Sequence, residues 1–198
     1  MSSNADPDAA LMLRVREGDR SAFQSLVEKY KQPVINLIAR TIGDAIEAED
    51  IAQHVFVQVF KSAHRYEVTA KFSTWLFTIA ANLAKNEMRR RKRRRNWSSL
   101  DEMQETLKDA SLQFADKKSN RQEDMEREQL SGVVGEAIAT LPDRYRIALV
   151  LRDIEGLAYE EIGLALKIPG GTVRSRINRA RLMLKRKLEP WLRRDDIG

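Results

Sequence analysis

Apolar residues recur every three or four positions along most of this chain, the spacing of helices that each bury one face. Asp6-Pro7 reads as a cap and first helical residue of a short helix ending near Gly18. A second helix runs from about Ser21 to Thr41, with Phe23, Leu26, Val27, Tyr30, Val34, Leu37 and Ile38 on one face. Pro33 lies inside it and is expected to kink or split it, and Gly43-Asp44 ends it. The third helix, about Ala45 to Ala63, carries a stripe of Ala48, Ile51, Ala52, Val55, Val59 and Ala63. Residues 64–71 lose the period and read as a loop. A fourth helix then starts near Phe72-Ser73-Thr74, with Phe72, Trp75, Leu76, Ile79, Ala80 and Leu83 as its core stripe.

From residue 96 to about 128 the period fades and acidic residues outnumber basic ones, which predicts a flexible linker with transient helix. Periodicity resumes at Leu130-Val133-Val134-Ala137-Ile138, breaks at Leu141-Pro142, and restarts through Tyr145-Ile147-Ala148-Val150-Leu151 to Gly156. A short helix over Leu157–Lys167, a turn at Ile168-Pro169-Gly170-Gly171 and a longer helix from Thr172 to Leu188 complete the chain. Pro169 and the two glycines are expected to stop the first of these helices, and Thr172 to cap the second. At about 100° per residue, Val173, Ile177, Ala180, Leu184 and Leu188 share the core face of that last helix. Ser175, Arg179 and Arg186 point the opposite way, flanked by Arg176 and Lys187 on one side and Arg174 and Asn178 on the other. The expected fold is all-α: two small helical domains, 1–95 and 129–198, joined by an acidic flexible linker over 96–128. The C-terminal domain is a four-helix unit built on a helix-turn-helix.

Charge sharpens this picture. Among 198 residues there are 35 Lys or Arg and 29 Asp or Glu, a formal net charge of +6, but the two signs are segregated. Basic residues form an unbroken run from Arg89 to Arg95 and crowd the chain after Thr172; acidic ones gather at Glu47–Asp50 and in 101–128. Two basic patches divided by an acidic stretch suit two contacts with one polyanion. A capped, amphipathic helix whose outer face is arginine-rich fits a DNA major groove. With no cysteine, disulfides and thiolate metal sites are excluded, and no apolar run approaches the ~18 residues of a membrane span. The polar N-terminus is no signal peptide, so a soluble, cytoplasmic protein is expected.

Two further faces stand out. On the third helix Ile46, Gln53, Val57 and Phe60 cluster opposite the core stripe, beside Asp50. That pattern fits a surface kept for a partner, and equally a helix buried on both sides in its own bundle. On the fourth helix Thr74, Thr78, Asn82, Lys85 and Arg89 form a strip that grades from hydroxyl and amide to cation. Such a strip can hydrogen-bond bases and phosphates.

These residues carry a resemblance. Ala48-Glu-Asp-Ile-Ala-Gln53 with Phe56, Phe72-Ser-Thr-Trp-Leu-Phe-Thr-Ile-Ala-Ala-Asn82, Leu141-Pro142, Tyr159-Glu-Glu-Ile162, and Gly171-Thr-Val-Arg-Ser-Arg176 followed by Arg179-Ala-Arg181 occur in this order. The set resembles bacterial RNA polymerase sigma factors of the extracytoplasmic-function group. The resemblance implies that Asp50, Gln53 and Phe56, with the face at Ile46, Val57 and Phe60, dock on the clamp of the large subunit of core polymerase. It implies that Lys71, Phe72, Ser73, Thr74, Thr78, Asn82, Lys85 and Arg89 open and hold the minus-10 element, and that Thr172, Arg174, Ser175, Arg176 and Arg179 read the minus-35 element of promoter DNA. It further implies a role in a stress or envelope response, a linker threading the polymerase near the RNA exit path, and an anti-sigma partner, often membrane-anchored, that clamps both domains. His54 stands where the family often has Glu, and Gly163 where Ala is common; the latter costs a helix about 1 kcal/mol unless close packing requires it.

Two rival readings fare worse. A stand-alone helix-turn-helix regulator leaves the Phe72–Asn82 motif without a role. An enzyme lacks raw material: the two histidines, His54 and His64, stand ten residues apart, and there is no phosphate loop or nucleophile–base set. No catalytic residue, metal, cofactor or small-molecule substrate is implied.

Overall fold

A computed structural model of the chain describes residues 6–98 and 121–195, and among these all regular structure is helical. Helices α1 (Pro7–Arg16), α2 (Arg20–Ile42), α3 (Ala45–Lys61) and α4 (Phe72–Ser98) form one unit. Helices α5 (Arg121–Ala139), α6 (Asp143–Leu149), α7 (Tyr159–Leu166) and α8 (Gly170–Asp195) form the second, with a π-turn over Val150–Ile154 extending α6. No described helix is long and apolar enough to cross a membrane.

Side-chain carboxylates set the helix starts. Asp6 Oδ1 accepts the Asp8 N–H at 3.1 Å and so caps α1, while its Oδ2 accepts the Phe72 N–H at 2.7 Å and holds the first residue of α4. Asp19 caps α2 through the Ser21 and Ala22 amides, and Asp44 caps α3 through that of Glu47. Gly43, at φ 74°, gives α2 the left-handed residue that ends it. Asp8 is buried, and its carboxylate is satisfied by Lys29 Nζ and the Tyr30 hydroxyl, each at 2.6 Å. The core of this unit runs from Met12 and Val15 through Leu26, Val34, Leu37 and Ile38 to Ala48, Val55, Phe72 and Leu76.

Several expectations are corrected. Helix α2 is not split at Pro33 but continues through it, with buried Tyr30, Val34 and Leu37 on either side of the lost hydrogen bond. The loop after α3 contains a 3₁₀ turn over Ala63–Arg65. Most of the segment expected to be a linker, residues 99–120, lies outside the described residues, but Arg121 onward already belongs to α5. Between α7 and α8, Pro169 and the glycines do not stop the first helix. Lys167 does so, at φ 55°, and α8 begins at Gly170. The Pro169 carbonyl accepts the Thr172 and Val173 amides at 2.9 and 3.1 Å, so Thr172 lies inside the first turn instead of capping it. Gly163 has the packing reason it needed, because a Cβ there would sit 3.1 Å from the Ile168 carbonyl oxygen.

The two units pack on each other: α7 lies along α4, and α2 touches α5, α6 and the π-turn. One connected set of buried apolar residues runs through both. Glu155, at the end of the π-turn, is half-buried at this junction. Burial pushes its carboxyl up to about 7, and the Arg40 guanidinium on α2 only partly opposes this. The folded state therefore holds this proton more tightly than the unfolded chain does. The stabilising contribution is fully present below the ordinary value of 4.5 and is lost as pH rises toward about 7. Glu155→Gln is expected to raise stability at about pH 8 and to leave it unchanged near pH 4.5, read from urea midpoints. An equal gain at both values would remove the titration account.

Candidate nucleic-acid and partner interfaces

Helix α3 presents the first candidate surface. Its core stripe seats Ala48, Ala52, Val55 and Val59, and Phe56 is buried with them at 8% exposure. Ile46, Val57 and Phe60 stand out at 86%, 46% and 51% exposure, and Asp50 and Gln53 are exposed beside them. Of the two readings that the pattern allowed, the outer face is the open one. It borders an apolar groove of about 720 Å³ between α2 and α3, with Phe23, Val27, Ile35, Phe56, Val57 and Phe60 lining it and Arg20, Lys31 and Lys61 on the rim. The Phe23 and Phe60 rings meet edge to face at 5.2 Å. Ile46 lies outside the groove, and Asp50 borders a second hollow between α3 and α4. Sequence reasoning missed the α2 half of the groove, because Phe23 and Val27 share the helical period of the core and only their partial exposure distinguishes them.

Helix α4 carries the second. Phe72 is wholly buried, its ring meeting those of Tyr30 at 5.4 Å and Tyr66 at 6.2 Å, so it anchors the helix and faces no ligand. Lys71 is exposed and Ser73 half-buried. Thr74 is only 2% exposed, and its hydroxyl donates to Glu161 Oε1 of α7 at 2.9 Å. The Thr78 hydroxyl donates back to the Thr74 carbonyl at 2.7 Å. Asn82 and Lys85 are half-buried, and Lys85 Nζ reaches the Leu166 carbonyl at 3.5 Å. Burial lowers the Lys85 ammonium below its ordinary range, aided by the nearby cations Arg89, Arg176 and Lys167. The strip is thus assembled as expected, but α7 covers much of it.

The basic run that follows is not one patch. Arg90 pairs with Glu87 and Glu47 at 2.6 Å each. Arg91 pairs with Glu87, Asp44 and Glu47 and donates to the Ile42 carbonyl, and Arg94 approaches Glu87 at 3.7 Å. Burial alone would raise the Glu87 carboxyl, but Arg90 and Arg91 hold it below its ordinary range. Arg89, Lys92 and Arg93 instead line a solvent-facing hollow with Asn86. Of the described side chains in the run, Arg89, Lys92 and Arg93 line this hollow, while Arg90, Arg91 and Arg94 have carboxylate partners.

The third surface is α8. Val173, Ile177 and Ala180 are fully buried, which turns Arg174, Ser175 and Arg179 outward and leaves Thr172 and Arg176 half-exposed. Arg181 is tied to Asp153 of the π-turn at 2.5 and 2.9 Å, fixing α8 on α6. Arg179 Nη1 donates to the Tyr145 hydroxyl at 3.3 Å, and the Arg144 guanidinium lies 4.7 Å above the same ring. Arg144 therefore joins the outer face of α8 from a different helix, a juxtaposition that no period along the chain announces. Among the described residues no cluster of His, Asp and Glu is placed to hold a metal ion.

The split of the basic run is testable by stability. Arg91→Ala leaves Glu47, Asp44 and Glu87 without their shared cation and is expected to lower unfolding free energy by about 1–3 kcal/mol. Lys92→Ala is expected to stay within about 0.5 kcal/mol of the parent in the same urea titration.

Comparison with known proteins agrees with this geometry. Residues 26–94 match the family model for Sigma-70 region 2, and residues 131–184 match that for Sigma-70, region 4. The RNA polymerase sigma-H factor of Pseudomonas aeruginosa is 38% identical over 192 residues, spanning 95% of this chain and 97% of that protein. The ECF RNA polymerase sigma-E factor of Escherichia coli is 35% identical over 187 residues, spanning 94% and 97%. Among solved structures, CnrH in complex with the cytosolic domain of CnrY shares the fold with a TM-score of 0.66 at 22% identity, covering 93% of this chain and 99% of that one. The sigma factor RpoE with the anti-sigma factor NepR from Bartonella quintana gives 0.65 at 22%, covering 84% and 96%.

Proposed function

This chain belongs to the sigma-70 family, as an alternative RNA polymerase sigma factor of the extracytoplasmic-function type, and we propose how its three surfaces divide the work of transcription initiation. The ridge of α3, with Ile46, Asp50, Gln53, Val57 and Phe60 outermost and Phe56 as its buried floor, takes core polymerase. The groove beside it extends that contact to Phe23 and Val27 of α2. Lys71, Ser73, Thr74, Thr78, Asn82 and Lys85 hold the unpaired minus-10 strand, and Arg89 with Lys92 and Arg93 takes its phosphates. Phe72 serves this surface by fixing the start of α4. The outer face of α8, Thr172, Arg174, Ser175, Arg176 and Arg179, reads the minus-35 duplex, with Arg144 at its border. The domains act as 1–95 and 129–198, the join lying within 96–128.

The observation that carries this reading is the exposed Ile46–Val57–Phe60 ridge on the helix next to the polar strip of α4. A solitary DNA-binding regulator needs only α7 and α8, and leaves an apolar ridge on the opposite unit without a partner. In this reading the chain supplies binding and no chemistry of its own. Opening DNA costs a few kcal/mol per unstacked step, which capture of splayed bases offsets. The chain works in the cytoplasm, in a stress or envelope response, under an anti-sigma factor of the kind seen with the Bartonella protein.

Run-off transcription with purified bacterial core polymerase and a genomic promoter library tests the assignment. Initiation that depends on this chain, at promoters sharing two spaced elements, is expected. No initiation and no co-elution with core, together with tight binding to duplex operators, would establish the regulator instead. Within the same assay Arg179→Ala is expected to weaken minus-35 binding by about 1–3 kcal/mol. Phe60→Ala is expected to weaken core binding with an unchanged melting curve; wild-type core affinity in that variant would remove the ridge from the interface.

A further inference from the structure

Two arginines at the edge of the C-terminal unit are held by a tyrosine, where their neighbours are held by acids. Arg146 pairs with Asp143 at 2.6 Å, and Arg181 pairs with Asp153 at 2.5 Å. Arg144 and Arg179 are exposed, and among the described residues no ion pair includes either. Both meet Tyr145 instead. Arg179 Nη1 donates to its hydroxyl at 3.3 Å, and the Arg144 guanidinium lies 4.7 Å from its ring centroid. The tyrosine itself is only 7% exposed, and its amide donates to the Pro142 carbonyl at 2.8 Å, so the hydroxyl is presented from a fixed base. The Arg179 hydrogen bond, aided by Arg144, draws the phenol below its ordinary range although burial opposes this. The kind of partner matters. A carboxylate orients a guanidinium and cancels much of its field, whereas a phenol oxygen orients it and leaves the charge available to a polyanion.

We propose that Tyr145 is a positioning residue of the minus-35 surface: its hydroxyl directs Arg179 toward a base edge, and its ring holds Arg144 ready for a neighbouring phosphate. This role rests on the reading of α8 given above and adds the residue that orders that surface. A long cation that must meet one base edge gives up side-chain freedom on binding, and one already restrained gives up less. Tyrosine suits the task, because only two side-chain torsions place its oxygen and burial fixes both. Arg144 has a further need of the ring. It lies in the first turn of α6, where the helix dipole opposes a cation, and the face of Tyr145 supplies an attraction there. One buried side chain thus sets two cations from two helices on the same edge, one to specify and one to anchor.

The test uses the full chain bound to core polymerase, with duplex promoter DNA recovered in the run-off assay and the same DNA substituted at each minus-35 position. Tyr145→Phe keeps the ring beside Arg144 and removes only the acceptor of Arg179. It is expected to weaken promoter binding about 3- to 10-fold and to shrink the penalty for substitution at the position where Arg179→Ala shrinks it. Its salt dependence and melting curve are expected to match wild type, since no charge is lost. In an Arg179→Ala background Tyr145→Phe is expected to cost nothing further. Arg144→Ala is expected to weaken all the substituted promoters alike and to reduce the slope of log affinity against log salt by about 1. An unchanged slope there would remove the phosphate contact. A loss from Tyr145→Phe that persists in the Arg179→Ala background would overturn the positioning role and leave the α8 reading in place. Wild-type binding by Tyr145→Phe, with Arg179→Ala weakened, would do the same. Wild-type binding by Arg179→Ala, or no promoter recovered, would remove the α8 reading itself, and the proposal with it.

Discussion

Helix α4 has more apolar and small surface than one neighbour can cover, and the rest of the molecule is arranged to meet that demand. Phe72, Leu76, Phe77, Ala80, Ala81, Ala84 and Met88 are all buried, a set too broad for a single stripe. Helices α2 and α3 cover one side from within their own unit, and α7 arrives from the other end of the chain to cover another. The start of the helix is pinned by the Asp6 carboxylate on the Phe72 amide and by the aromatic group of Tyr30, Tyr66, Phe72 and Trp75. Fixing that first turn sets the direction of every polar side chain that follows.

Charge is distributed by the same helix. A run of seven cations on one segment would repel itself strongly, and placing Glu87 one turn ahead of it answers part of the problem. Asp44 and Glu47, at the start of α3, answer more by pairing with Arg91 and, for Glu47, Arg90. These pairs join α3 to α4 at the point where each carries an outward function. The cations on the other side of the run then face solvent with their field intact. One stretch of sequence thus supplies an interhelical tie and, in the function proposed above, a polyanion-binding edge.

The helices, the cap at Asp6, the stop at Gly43 and the outward set of α8 were legible along the chain, because each depends on neighbours three or four residues away. The family was legible for a related reason, since its motifs are local and appear in order. Four things were not. The turn between α7 and α8 was misplaced because Pro169 can either end a helix or accept the first bonds of the next, and the choice was made by Lys167 adopting a left-handed conformation. The division of the Arg89–Arg95 run depends on acids forty residues earlier, and the α2 wall of the groove on which half-buried side chains find cover. The covering of Thr74 by Glu161 links positions eighty-seven residues apart, beyond the reach of any periodicity.

The contact between the two units joins a continuous apolar core to charges that are poorly compensated at its edge. An interface selected for permanence pairs its charges as well as burying apolar surface. Here Glu155 is half-buried with its carboxyl pushed up to about 7, so closure favours the protonated form. Lys85 is half-buried among cations, and the tie at Lys71 is largely in water. Each feature reduces the net stability of the closed form without disturbing either unit's own core, where the packing is tight and the buried Asp8 is fully hydrogen-bonded. Rigid units joined across such charges suit a dissociable specificity subunit, because each poorly compensated charge lowers the differential affinity that a partner must supply to shift the equilibrium.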